Sequence, residues 1–553
     1  MKNKLLFIVL STLSIFYFPN QNFGQAPNLG TVANFVLFTT NGAITNTGSS
    51  HLTGHVGSNV GSSTGFGNVD GVMHNQDPAS AQATLDLNAL YLELDAKVPT
   101  SFPGILLGNN QTLNPGVHSS PASATLSNIL YLDAQNDPNA IFIFQIDGTF
   151  SANANSKVIL LNSAQACNVY WKIEGAVSLA TGTSMKGSIV ANNSAINISA
   201  SDTLEGRALS LNGAIGVNQL FAYTPLGCGT PVLTGPANPA LGTTECYVLF
   251  SGIGAVTNTG DTYASGDIGS NSGQANGFNP LFITGTIHVN PDASTAQCAT
   301  DFNNVYNDLT ALPYDIELLY PAQFGNNLVL TPHVYLMNGA VTFTDSLYLN
   351  AQENPNAVFV FQVKGAFNTS TLSRVKLING AQAKNVYWLI DGAVEVNNLS
   401  IFNGTIISQG AIKLNSGVKL NGRALTGVGS VTTEAISAFM PTSCSPYTIT
   451  EPTDQTVCKG TTANFTVNAS GSNLTYQWRK GSVDLNNGGN ISGVDTETLT
   501  ISPAGLSDAA NNYNVIISGS FTPNDTSEYV TLSIISALSL VKYWKFVKRT
   551  ILA

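Results

Sequence analysis

The chain has 553 residues, 51 of them glycine, only 10% of them charged, and a formal net charge of −11. A soluble protein ordinarily carries roughly 25% charged residues, so Gly, Ser, Thr, Asn and Ala must cover most of this surface. That balance excludes a basic nucleic-acid-binding surface, a coiled coil and a charge-driven disordered chain, and the length suggests roughly three or four domains.

Residues 1–26 read as a secretory signal. Lys2 and Lys4 precede the apolar run Leu5 to Phe18, and small residues follow around Gly24 to Ala26. The run is shorter than the ~20 residues a membrane span needs, so the mature chain is expected to be secreted or at the cell surface.

Two copies of one domain follow, predicted over 27–226 and 237–445 with a linker at 227–236. Thr45-Asn46-Thr47-Gly48 recurs as Thr257-Asn258-Thr259-Gly260, Asn168-Val169-Tyr170-Trp171 as Asn385-Val386-Tyr387-Trp388, and Gly206-Arg207-Ala208-Leu209 as Gly422-Arg423-Ala424-Leu425. In the first copy Asp77-Pro78 has the form of a helix N-cap followed by proline in the first turn. Leu87, Leu90, Tyr91 and Leu94 then make one apolar helix face, repeated as Phe302, Val305, Tyr306 and Leu309. Further along, Val158, Leu160, Val169, Trp171, Ile173, Val177 and Leu179 alternate as half-buried strands do. Lys186-Gly187-Ser188-Ile189 is followed by Glu205-Gly206-Arg207-Ala208, and Asn403-Gly404-Thr405-Ile406 by Asn421-Gly422-Arg423-Ala424. Short strands with Gly or Asn corners at this period signal a β-solenoid, in which each coil buries its apolar face against the next.

From about Pro446 the pattern changes. Cys458, Trp478, Asp508 and Tyr513 follow the Cys…Trp…Asp-x4-Tyr order of an immunoglobulin-like β-sandwich, predicted over 446–535. That resemblance implies a spacer or adhesive module. Val515 stands where the second cysteine of the fold would be, so Cys458 is expected to be unpaired. The tail 536–553, with Lys542, Trp544, Lys545, Lys548 and Arg549, is either a membrane-touching segment or a frayed end. Attachment to a cell through the C-terminal region stays open.

Six cysteines are too few for a disulfide framework in a chain this long. Cys246 and Cys298 occur together in the second copy, where the first has Asn34 and Ala83. This fits a disulfide specific to that copy, with two buried thiols as the alternative. Residue pattern does not assign Cys167, Cys228 or Cys444.

The order Thr-Asn-Thr-Gly, a Gly-His/Asp-Val/Ile-Gly-Ser turn at 54–58 and 266–270, a helix, Asn-Pro-Gly-Val at 114–117, Asn-Val-Tyr-Trp and Gly-Arg-Ala-Leu resembles the DUF3494 ice-binding (antifreeze) proteins. The resemblance covers both copies. It implies a mainly β chain with two irregular right-handed β-solenoids (β-helices), each with a long flanking α-helix. It also implies an ice crystal surface as partner, with thermal hysteresis and ice recrystallisation inhibition as activities.

A flat solenoid face is a rigid lattice, with strands ~4.8 Å apart and same-face residues at about twice the 3.3 Å rise. Regular Thr hydroxyls and methyls can hold an ordered water layer on it. Charged side chains would disturb that layer, and long ones lose rotamer entropy on docking. The family's ice face resembles a Thr-Ala/Gly-x-Thr/Asn pattern. Thr259-Gly260-Asp261-Thr262 matches it, and Thr47-Gly48-Ser49-Ser50 and Thr181-Gly182-Thr183-Ser184 come close. Ala200-Ser201-Asp202-Thr203 aligns one coil on. The candidate ice-binding residues are therefore Thr47, Ser49, Ser50, Thr181, Thr183, Ser184, Ser201, Thr203, Thr259 and Thr262; the alternative for any one segment is a plain solenoid corner. In the second copy Leu399, Ile401 and Lys419 depart from the pattern, which favours the first copy as the binder.

Catalytic chemistry is not expected. Gly61-Ser62-Ser63-Thr64-Gly65 lacks the strand and helix of a nucleophile elbow. His51 and His55 do not sit on a helix as a metal pair would. Asp133 and Asp137 become Asn350 and Asn354 in the second copy, which disfavours a polysaccharide-active enzyme. Arg207 and Arg423, kept in both copies, fit buried arginines bonded to backbone carbonyls, with participation in a ligand site as the alternative. The reading is a monomeric, non-enzymatic ice-binding protein needing no cofactor, metal or nucleic acid. The rival is a cell-surface adhesin whose solenoid and immunoglobulin-like domains bind glycans or proteins.

Overall fold

The fold is that of a computed structural model, described here over residues 26–228, 232–290, 292–441, 448–470, 474–518 and 525–536. The expected signal up to residue 25, Cys444 and the tail after residue 536 lie outside these residues. Two compact units divide the chain, Met1–Phe66 with Met73–Thr230, and Gly67–Val72 with Pro231–Ala553. The division falls within the stretch 227–236. The short segment Gly67–Val72 lies in the first repeat yet belongs to the second unit, where the Asp70 carboxylate accepts from Thr331 Oγ1 at 2.7 Å and Tyr335 OH at 2.6 Å.

The described strand pairings of the first solenoid are parallel, as stacked coils require. Eight strands make one sheet and thirteen make another that bends over two sides of the coil. The bend runs through two long strands, Ser184–Ala191 and Thr203–Ser210. Their glycines are in register, and a Cβ on Gly206 would lie 1.9 Å from the Gly187 carbonyl oxygen. This is why both copies carry glycine at the centre of the repeated motif: the coil turns there by bringing backbone onto backbone.

Helix α1, Pro78–Asp95, covers one side of the bent sheet. Asp77 caps it by accepting from Ser80 N, and Ser80 reciprocates. Leu87, Leu90 and Leu94 are buried against Phe35, Phe38, Ile143, Tyr170, Val190 and Leu209, so strands here are apolar on both faces. Tyr91 sits at the edge of that stripe and donates its hydroxyl to Glu174 at 2.6 Å. Helix α2, Ala293–Ala311, repeats the arrangement with Phe302, Val305 and Leu309 under an Asp292 cap. Inside the coils Trp171 stacks on Phe144 at 3.9 Å, and Trp388 on Phe361 at 4.1 Å. The repeated arginines are buried: Arg207 donates to the Ala33 carbonyl and Arg423 to that of Glu245, tying the turn before the first strand of each solenoid to a central strand.

The C-terminal segment forms small sheets around fully buried Trp478, and Tyr513 OH donates to the Asp508 carbonyl at 2.7 Å. Cys458 is a free, exposed thiol. The expected Cys246–Cys298 bond does not form. Cys298 is a buried free thiol, whereas Cys246 is bonded elsewhere. Both side chains enter the same apolar cluster under α2, and joint packing accounts for their joint presence without a bond between them. Cys167 and Cys228 form a disulfide, Cα to Cα 6.1 Å.

Candidate functional site

The eight-stranded sheet of the first solenoid has one bare face. Most of its strands carry a short apolar-x-apolar run, such as Phe150–Ala152, Val177–Leu179 and Ile196–Ile198, while Ile44–Thr47 buries Ile44 and Asn46. The apolar residues point into the core, so the middle residue points out. Register then aligns those middle residues in one column: Thr125, Ser151, Ser178, Asn197, Gly216, Thr45 and Thr64, with Leu106 at the end. On one side backbone hydrogen bonds carry the ladder through Thr149, Ala176, Ala195, Ala214, Ala43 and Ser62. On the other stand Ser127, Asn153, Ala180, Ser199, Asn218 and Thr47.

No charged side chain stands in the three columns. Eight strands at ~4.8 Å spacing span about 34 Å, and three columns about 13 Å. Neighbouring groups are held by one another: Thr125 Oγ1 lies 3.0 Å from Ser151 Oγ, and Asn153 Nδ2 donates to Ser127 Oγ at 2.7 Å. Adjacent corners close on small residues. A Cβ on Gly42 would meet the Gly213 carbonyl oxygen at 2.5 Å, and Thr39 Oγ1 donates to that same oxygen at 2.7 Å.

The corresponding face of the second solenoid keeps small residues in one column, Ala366, Ala393, Ala411, Ser430 and Ala255. Its central column reads Thr342, Asn368, Glu395, Lys413, Thr432, Thr257 and Asn276. Lys413 Nζ lies 3.0 Å from Glu395 Oε1, in the middle of the sheet. Hydrogen bonds from Asn415 and then Lys413 hold the Glu395 carboxyl below its ordinary range, which favours the carboxylate form.

The residues singled out from sequence lie mostly at a corner beside this face. Thr47 ends a strand of the face, and Ser49 and Thr181 are exposed corner residues. Ser201 is an exposed corner residue in left-handed backbone. Ser184 and Thr203 start the strands of the other, bent sheet, where they bond to each other at 2.9 Å. Thr183 is 1% exposed, with its hydroxyl given to the Ala180 carbonyl. Thr262 is 2% exposed and donates to Asn258 Oδ1 at 2.6 Å; Ser50 makes the same bond to Asn46. These three hydroxyls face inward and fasten corners. Thr259 ends a strand of the second solenoid's face, opposite Glu434. The four-residue pattern thus falls on corners, whereas the flat columns follow from the middle residues of apolar-x-apolar triplets, a signal present in the sequence.

Other titratable groups have structural partners. Asp202 accepts from Thr183 N and Ser199 N across a corner, and burial pushes its carboxyl up to about 6. Asp133 accepts from Gln135 N and Asn162 Nδ2 in a turn. Among the described residues no group of His, Cys, Asp and Glu could hold a metal ion, and no helix is long and apolar enough to cross a membrane.

A family model described as Ice-binding-like matches residues 38–220 and 250–437. The ice-binding protein of Nostoc sp. (strain HG1) is 40% identical over 192 residues, 34% of this chain and 70% of that protein. Ice-binding protein 1 of Shewanella frigidimarina (strain NCIMB 400) is 26% identical over 303 residues, 46% of this chain and 34% of that protein. The crystal structure of an ice binding protein from an Antarctic bacterium of the Flavobacteriaceae superposes with a TM-score of 0.75 at 52% identity, covering 76% of this chain and all of that one.

Proposed function

The chain belongs to the ice-binding-like family, and from that premise we propose that it adsorbs to ice through the eight-stranded face of its first solenoid. The observation that carries this is the central column from Thr125 to Thr64, flanked by two columns of small uncharged residues. Hydroxyls at fixed spacing anchor a water layer, while methyls and Cα–H groups between them deny that water other partners. The side chains are short, so little rotamer entropy is lost on docking. The stacked core beneath holds the lattice flat. A growing crystal must then bulge between adsorbed molecules, and the curvature opposes further growth, giving thermal hysteresis and recrystallisation inhibition.

In this reading the second solenoid is the weaker binder, because Glu395, Lys413 and Glu434 hold water in their own geometry. Thr47 stands within one flanking column of the first solenoid's face, and the corner residues Ser49, Thr181 and Ser201 border the contact. The protein is secreted, acts as a monomer and catalyses no reaction. Its C-terminal segment is an immunoglobulin-like spacer, with cell-surface attachment through this region as its use. Purified chain tested for ice recrystallisation inhibition and for binding of a fluorescent derivative to an ice hemisphere decides the matter: inactivity at micromolar concentration refutes the proposal.

A further inference from the structure

The second solenoid has another exposed sheet surface, on the part of its bent sheet that α2 does not cover. One outward column there reads Arg374, Ile401, Lys419, Ser437 and Tyr263. Beside it Tyr348 pairs with Lys376, and Asn403 with Asn421 and then Phe439. No carboxylate stands in either column. None of the three cations belongs to a salt bridge among the described residues. The first solenoid differs at the same places. Only Lys157 matches Arg374, Thr203 replaces Lys419, Ile159 replaces Lys376, and Lys186 is neutralised by Glu205 at 2.6 Å. In the second copy that ion pair is an amide pair, Asn421 Nδ2 donating to Asn403 Oδ1 at 3.0 Å.

We propose that this surface binds an acidic polysaccharide. In a chain of net charge −11, a group of three cations without a salt bridge, with the exposed Asp345 as the carboxylate at its edge, is a local field favouring an anionic partner. The cations are spread out. Arg374 and Lys376 are about 6.6 Å apart along one strand, and Arg374 and Lys419 about 9.6 Å apart across two strand spacings. That suits a chain with one carboxylate on every sugar or every second sugar. The denser charge of a nucleic acid, about one per 1.7 Å of duplex, would be repelled by the rest of the molecule. The surface is a broad sheet, whereas small-molecule sites are concave, so an extended polymer fits it. Tyr263 and Phe439 are 47% and 49% exposed; Tyr263 is stacked on Phe282 at 4.6 Å, and the exposed ring surface that remains offers an apolar contact for the C–H side of a sugar ring. Lys376 is held in place over Tyr348, 4.5 Å from its ring centre, with Nζ donating to the hydroxyl at 2.8 Å. The Asn403 and Asn421 amides supply hydroxyl partners between the cations.

The test is affinity electrophoresis of the full chain through gels containing alginate or neutral dextran. Alginate should retard the wild type, retardation should weaken as salt rises, and dextran should have little effect. The triple variant Arg374→Gln/Lys376→Gln/Lys419→Gln should bind alginate roughly tenfold more weakly, or less. Its ice activity should be unchanged, because these residues lie off the face assigned to ice; that readout separates failure here from failure of the ice reading. Lys419→Thr, which installs the first copy's residue at an exposed position, gives a smaller loss of alginate binding and serves if the triple variant unfolds. Absence of alginate retardation, equal retardation of wild type and triple variant, equal retardation by dextran, or stronger capture by anionic vesicles or duplex DNA would each overturn the proposal.

Discussion

Replacing Ser178 with Tyr tests the ice face most directly. Ser178 is exposed at the centre of the face, between Ser151 and Asn197 and flanked by Ala176 and Ala180. Each outward position occupies about 32 Å², the product of a 4.8 Å strand spacing and a 6.6 Å residue spacing. The three columns over eight strands therefore present about 760 Å². A tyrosine standing on Ser178 lifts a flat crystal surface from that position and its eight neighbours, about 290 Å² or roughly 40% of the face. For a micromolar adsorption of about 8 kcal/mol, a proportional loss is about 3 kcal/mol, or roughly two orders of magnitude in affinity. Folding should change by no more than about 0.5 kcal/mol, because the side chain is on the surface and tyrosine is at home in strands. The assay is the lowest concentration that inhibits ice recrystallisation, with thermal unfolding as the folding control and Thr203→Tyr as the positional control. A folded Ser178→Tyr protein of undiminished activity would refute the assignment. Thr183→Tyr is not equivalent: that side chain is buried, and overpacking it damages the coil.

Four further outcomes are expected. Glu395→Thr with Lys413→Thr, added to Ser178→Tyr, should recover part of the lost ice activity by clearing the second solenoid's face; no gain would mean that this charge pair is not what weakens it. His288 bridges Asp267 and Asp292 at the start of α2. Burial alone would lower its pKa, but the two carboxylates carry it above the usual value. The stabilisation is thus complete below about pH 6.5, the unfolded value, and is lost as pH rises through the higher folded pKa; melting temperature should fall over that window, and His288→Asn should flatten the dependence. Alkylation of the denatured, unreduced chain should label Cys298 and Cys458 and spare Cys246, Cys167 and Cys228, as read by peptide mass. Cleaving the Cys167–Cys228 bond, which closes a separation of 61 residues, should lower stability by up to about 4 kcal/mol by loop entropy.

Much of the fold was written in local pattern. The Asp77-Pro78 start and the Leu87, Leu90, Leu94 stripe depend on interactions within a few residues, and α1 follows them. Repetition of Gly-Arg-Ala-Leu and Asn-Val-Tyr-Trp disclosed the two solenoids because each copy makes the same contacts, among them the buried arginine and the stacked tryptophan. The shortage of charge was also legible, though what it means differs from surface to surface. Only the tertiary structure decided which small residues share a plane. A Thr-Gly-x-Thr string reads alike whether its last hydroxyl faces water or, like Thr262, turns inward to bond Asn258. Register between strands far apart in sequence sets the columns, as when Thr45 meets Gly216, and a single-residue difference at a corner moves a side chain from one sheet to another. It likewise took the packed structure to find Cys298 without a bond, Gly67–Val72 in the second unit, and the Glu395–Lys413 pair at the centre of the second face. Local spacing determined the elements; the stacking of coils, which pairs residues by space and not by sequence distance, decided the surfaces they make.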